Sequence, residues 1–116
     1  MIYSRRGDQP APSEPYDEIM KLFAIIRTRG HAWNASLRLE EQPGWDAHAS
    51  FMNGLHREGF IVLGGPLEDT PDVLLIARAI SADAVAARLQ QDPWTSGNLL
   101  LVSRISPWTL RLGSLP

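Results

Sequence analysis

QPGWDAHASFMNGLHREGFIVLGGP, residues 42–66, reads as a helix that turns a histidine inward, followed by a strand that breaks at Gly64-Gly65-Pro66. Pro43 suits a first helical position, where no amide bond is lost, and Gly59 suits the left-handed residue that follows a helix end. Between them Trp45, His48, Ala49, Met52, Leu55 and His56 recur at the three-and-four spacing of one helical face, while Asp46, Asn53 and Arg57 lie elsewhere. That spacing points His48 toward the core.

Working outward, KLFAIIR (21–27) is an apolar run of strand length. Both alternating sets, Leu22, Ala24 and Ile26 against Phe23 and Ile25, are apolar, which predicts a strand buried on both faces. The connection TRGHAWNASLRLEEQ (28–42) has no convincing period, and a loop of that length in a small domain is more often functional than idle, a lid being one form. It contributes His31, Trp33, Arg38, Glu40 and Glu41, although 36–41 equally suits a helical turn whose charges face water. Residues 1–20, with the mixed polar run SRRGDQPAPSEP, lack the apolar surface to offset their ordering entropy and read as a flexible N-terminal tail. Residues 21–116 then form the folded domain.

Downstream, FIVLGG (60–65) and DVLLIARAI (72–80) read as strands of a hairpin joined by PLEDTP, whose prolines and acidic residues are turn chemistry. Ser81 caps a second helix that continues to Gln91, where Asp92-Pro93 stops it because a residue before proline is pushed out of the helical region. NLLLVSRI (98–105) is a fourth strand, and the closing SPWTLRLGSLP adds a short edge segment. Strand, helix, strand, strand, helix, strand is the ferredoxin-like βαββαβ pattern, an α+β fold with one antiparallel sheet and two helices on one face. Ile61 and Val62, Leu74 and Leu75, and Leu100 and Leu101 put large apolar groups on both sides of that sheet, so the second face needs a cover. A second copy of the chain is the simplest one. Burying roughly 600 Å² of apolar area per subunit contributes on the order of 15 kcal/mol before association costs, and a homodimer is expected.

The 116 residues are 44% hydrophobic and 21% charged, with a formal net charge of -2 and a pI near 5.9. With no basic run longer than Arg5-Arg6, neither nucleic acid nor an anionic membrane is an expected partner. The chain has no cysteine, and its three histidines lack an H-x-x-x-H spacing, so neither disulfide, thiolate nor metal chemistry is signalled. No apolar run approaches the ~20 residues that span a bilayer, and a soluble cytoplasmic protein is the expectation.

W-D-A-H-x-x-F-M-x-x-L-x-x-x-G-F-I-V-L-G-G-P-L, followed by D-P-W after the second helix, resembles the YCII-related (YciI-like) family over about residues 22–112. The resemblance implies ferredoxin-like subunits that pair as a dimeric α/β-barrel. It also implies that His48 and Asp92 correspond to the family's proposed active-site pair, with lyase, isomerase or dehalogenating chemistry on small ring-derived acids. The N-terminal tail and the Trp33-containing connection depart from the family pattern.

For His48, burial disfavours the charged imidazole and a neighbouring carboxylate favours it. A carboxylate also fixes the tautomer and leaves the other ring nitrogen to move a substrate proton. A histidine on an apolar face serves equally as a packed, hydrogen-bonded core group. An aspartate at a helix C-terminus faces the negative end of the dipole at a cost of roughly 0.3 to 1 kcal/mol, which a histidine partner relieves. Asp92-Pro93 is equally well a helix stop. Trp45 and Trp94 are expected to border a substrate site, with Trp33, Gly65 and Pro66 as further candidates. Gly64-Gly65-Pro66 lacks dinucleotide-binding spacing, and its glycines suit a bulge or a close backbone approach. The reading is a cofactor-independent enzyme using His48 and Asp92 on a small aromatic-derived or anionic metabolite. The alternative is a non-catalytic ligand-binding or accessory module.

Overall fold

Alternation along the first strand decides which face of the sheet becomes the core. In the computed structural model, which describes residues 19–116, β1 (Lys21–Arg29) buries Phe23, Ile25 and Arg27 and leaves Leu22, Ala24 and Ile26 half-buried. Within one chain, then, one face of the strand is buried and the other is only half covered. β2 (Ile61–Pro66), β3 (Asp72–Ala79) and β4 (Leu100–Trp108) complete an antiparallel sheet in the order β2-β3-β1-β4. α1 (Trp45–Arg57), α2 (Ala82–Gln90) and the single turn α3 (Pro93–Ser96) lie on the core face, which gives the ferredoxin-like α+β architecture. The expected tail, 1–20, falls outside the described residues up to residue 18.

Register explains the packing. Phe23, Ile25 and Arg27 stand opposite Ala77, Leu75 and Val73 on β3, so that face gathers Leu55 from α1 and Val85 and Leu89 from α2 into one apolar cluster. The other face has no helix over it. There Leu22, Ala24, Ile26, Leu74 and Leu101 are half-buried, while Leu63 and Trp108 are 44% and 38% exposed. β4 runs to Trp108, beyond the predicted end at 105, because Ser106, Pro107 and Trp108 stay in register with Ala24, Phe23 and Leu22.

Helix ends follow local chemistry. Ser81 accepts the Ala84 N–H at 3.1 Å and caps α2, and Gly59, at φ 82°, follows the end of α1. The start of α1 differs from expectation: Gly44, at φ 74°, is the N-cap and Trp45 opens the helix, so Pro43 precedes it. A Cβ on Gly44 would sit 3.4 Å from Trp94 Nε1, in contact with the indole, so it is the left-handed backbone rather than lack of room that favours glycine there. Between β1 and α1, the buried Gln42 side chain accepts the Asn34 N–H at 3.0 Å and donates to the Asn34 and Leu37 carbonyls at 2.7 and 3.1 Å. This amide plug fixes the long connection, and only Leu39–Glu41 forms a 3-10 turn within it. The hairpin bulges between Ile61 and Leu63. Next to the bulge, a Cβ on Gly64 would come within 2.6 Å of Leu75 Cδ2, a close approach that only glycine allows without displacing the leucine.

Candidate functional site

Three polar side chains from three elements meet beneath α1. Arg27 comes from the buried side of β1, His48 from the inward face of α1, and Asp92 from the corner between α2 and α3. Asp92 is not at the C-terminal end of α2 in the electrostatic sense predicted. α2 stops at Gln90, Pro93 forces Asp92 into extended backbone and opens a new turn, and Asp92 becomes its N-cap. The carboxylate therefore faces unpaired N–H groups instead of carbonyls, which favours the charge.

Both carboxylate oxygens of Asp92 are engaged. Oδ1 accepts the Trp94 N–H at 2.9 Å, Oδ2 accepts Arg27 Nη1 at 2.7 Å, and His48 Nδ1 lies 3.0 and 2.9 Å from the two oxygens. Arg27 Nη2 donates to Thr95 Oγ1 at 2.9 Å and to the Leu100 carbonyl at 3.0 Å, while its Nε has no hydrogen-bond partner. Arg27 and Asp92 are 1% and 0% exposed, so this is a fully desolvated ion pair. Burial on its own pushes the Asp92 carboxyl up. The hydrogen bonds from His48, Arg27 and the Trp94 N–H, with the His48 charge, outweigh burial and hold it below its ordinary value.

An ionised carboxylate can only accept, so Nδ1 of His48 carries the proton and Nε2 is the free nitrogen of the neutral ring. The ring is also clamped by an indole: Trp94 stacks on it with centroids 3.9 Å apart and planes at 6°. Trp94 is held in turn by its Nε1 bond to the Pro43 carbonyl at 2.7 Å, by Trp33 edge-on at 5.6 Å and by Trp45 at 5.8 Å.

His48 opens onto a cavity of about 510 Å³ between α1 and the β2 edge. Trp45, Gly65 and Pro66 line it. Trp94 does not, because it lies behind the imidazole, and Trp33 lies behind Trp94, where the guanidinium of Arg29 covers it at 4.6 Å. Sequence reasoning passed over Arg27, Asn53 and His56, which also line the cavity. For Arg27 the signal was present: it is in phase with Phe23 and Ile25 on the strand's buried side. Among the described residues no group of three or more His, Cys, Asp or Glu side chains is placed to hold a metal ion, and no helix is long and apolar enough to cross a membrane.

These features define a ferredoxin-like α+β domain with a buried Arg-Asp-His cluster at the wall of a cavity sized for a small molecule. No protein-family model matches the chain, and a search of curated proteins finds no match. Among solved structures, the chain is similar to 5-chloro-2-hydroxyhydroquinone dehydrochlorinase (TftG) from Burkholderia phenoliruptrix AC1100, in complex with 2,5-dihydroxybenzoquinone. The TM-score is 0.54 at 25% identity, covering 79% of this chain and 95% of that one.

Proposed function

We propose that the chain is an acid-base enzyme acting on a small hydroxylated, ring-derived substrate, with dehydrochlorination as the reaction its site fits best. The observation that supports this is the division of labour on one imidazole. Asp92 grips Nδ1, Trp94 fixes the ring plane, and the ring lines a largely apolar cavity that leaves Nε2 for the substrate. Arg27 neutralises Asp92, so the cluster is uncharged with a neutral imidazole and carries one positive charge after His48 accepts a proton. That charge is held beside the oxyanion it creates.

The likeness to a dehydrochlorinase bound to a quinone supports the same chemistry. Loss of hydrogen chloride from a chlorinated hydroquinone closes without an outside oxidant. The carbon that held chlorine receives a proton, chloride departs with the bonding pair, a second hydroxyl proton is released, and the ring ends as a quinone. One base that first takes a hydroxyl proton and then returns it to carbon serves both transfers, and we assign that role to Nε2 of His48. Chloride release from 5-chloro-2-hydroxyhydroquinone is the direct assay. His48→Ala is expected to slow it about 10²- to 10⁴-fold, the usual contribution of a positioned acid-base group. A variant of unchanged fold that turns over at the wild-type rate would sink the reading, as would a wild-type protein that releases no chloride.

The proposed unit is a pair of copies joined through the sheet face that no helix covers. Half-buried Leu22, Ile26 and Leu74 with exposed Leu63 and Trp108 form an apolar surface of the kind that marks an interface. Light scattering is expected to give twice the 12.9 kDa chain mass. A mass of one chain at micromolar concentration overturns the pairing.

A further inference from the structure

His56 sits two turns beyond His48 on α1, about 12 Å farther along the helix axis at 1.5 Å per residue, and lines the same cavity. Its Nδ1 lies 2.8 Å from the Ile61 carbonyl oxygen. A carbonyl only accepts, so Nδ1 must carry a proton in either charge state of the ring. Nε2 is left over: it accepts from a hydroxyl when the ring is neutral and donates to an oxyanion when the ring is charged. Asn53, one turn earlier on the helix, adds a second polar group at this end of the cavity. Arg27 keeps to the His48 end, and most of the remaining wall is apolar, Met52, Ile61 and Leu75 among it; Gly64, lacking a side chain, lets Leu75 lie against β2.

The cavity therefore has two polar ends and an apolar middle. We infer that His56 is a specificity-determining residue that binds a second oxygen group of the substrate, at the end of the ring opposite the one His48 attends. The substrate class is then a six-membered ring with hydroxyl or oxo groups at opposed positions, and a ring oxygenated at one end alone fills only half of the site. This inference rests on His48 as the reacting end and adds the far end.

Two substitutions separate binding from a purely structural role. His56→Asn supplies an amide N–H to the Ile61 carbonyl in place of Nδ1 and removes the nitrogen available to the ligand. His56→Gln reaches toward the Nε2 position. The probes are 2,5-dihydroxybenzoquinone, oxygenated at both ends, and phenol, oxygenated at one, with affinities read by calorimetry. His56→Asn is expected to keep the wild-type melting temperature and to narrow the preference for the quinone over phenol by about tenfold, the worth of one well-placed hydrogen bond to a ligand. His56→Gln is expected to recover part of the preference. An unchanged preference in a folded His56→Asn protein overturns the inference. If His48→Ala still slows chloride release, the failure is confined to the far end; if it does not, the acid-base reading fails first and on separate data.

Discussion

Asp92→Asn is expected to lower the unfolding free energy by about 3 to 5 kcal/mol at pH 7, the cost of stripping a buried ion of its partner. Asparagine preserves shape: its amide oxygen can still accept the Trp94 N–H. It cannot neutralise Arg27, whose side chain is only 1% exposed. Denaturant titration reads the loss, and a change under about 1 kcal/mol would show that the corner relaxes enough to solvate the guanidinium. The double variant Arg27→Met/Asp92→Asn tests the same cause. Removing Arg27 from the Asn background should cost less than removing it from the native chain, because an unpaired charge leaves with it. Acid carries a second signature. Because the folded Asp92 pKa lies below its ordinary 3.8, the unfolded chain takes up the proton first as pH falls. The contribution is complete above about pH 4 and is lost as pH drops through the lower, folded value. The stability gap between wild type and Asp92→Asn should therefore narrow below pH 4.

Trp94→Ala is the second large effect, at about 3 to 5 kcal/mol, typical of truncating a buried indole. Trp94 is 1% exposed, joins Leu99 and Leu100 in a cluster of their own, and fastens α3 to the start of α1 through the Pro43 carbonyl. Its loss also removes the stacked partner of the His48 ring, which keeps Asp92 and the tilted Trp45 ring at 5.9 Å. Trp94→Phe separates these roles, since a phenyl ring can still stack on the imidazole but cannot reach the carbonyl. Thermal unfolding should rank wild type above Phe and Phe above Ala. If Ala matches Phe, the stacking adds nothing to stability.

The strands, the two longer helices and the inward turn of His48 were legible because each is written in local periodicity. Continuous apolar runs of strand length mark β1 and β3, and apolar residues every third or fourth position mark α1. Asp92 was half legible. The proline after it announces a break, but Asp-Pro both ends one helix and begins another, and only the turn that follows shows which side the carboxylate serves. Arg27 escaped because a run of apolar residues ending in arginine resembles a strand reaching solvent. Its parity with Ile25 outweighs that resemblance once β3 and β4 lie on either side of β1. Trp33 could not be placed from its neighbours in sequence, since its position depends on Gln42 holding the connection by contacts eight and five residues apart.

The Arg27–Asp92 bond joins residues 65 apart in a strand that stands at the middle of the sheet. During synthesis β1 emerges before both its carboxylate partner and its neighbour β4. Until both have emerged, the nascent sheet centre holds a cation without a counter-ion and lacks one of its two flanking strands, so the core settles only once they follow. Fragments that stop before Asp92 carry that defect permanently, so the buried charge lets the core close only when both halves of the domain are present.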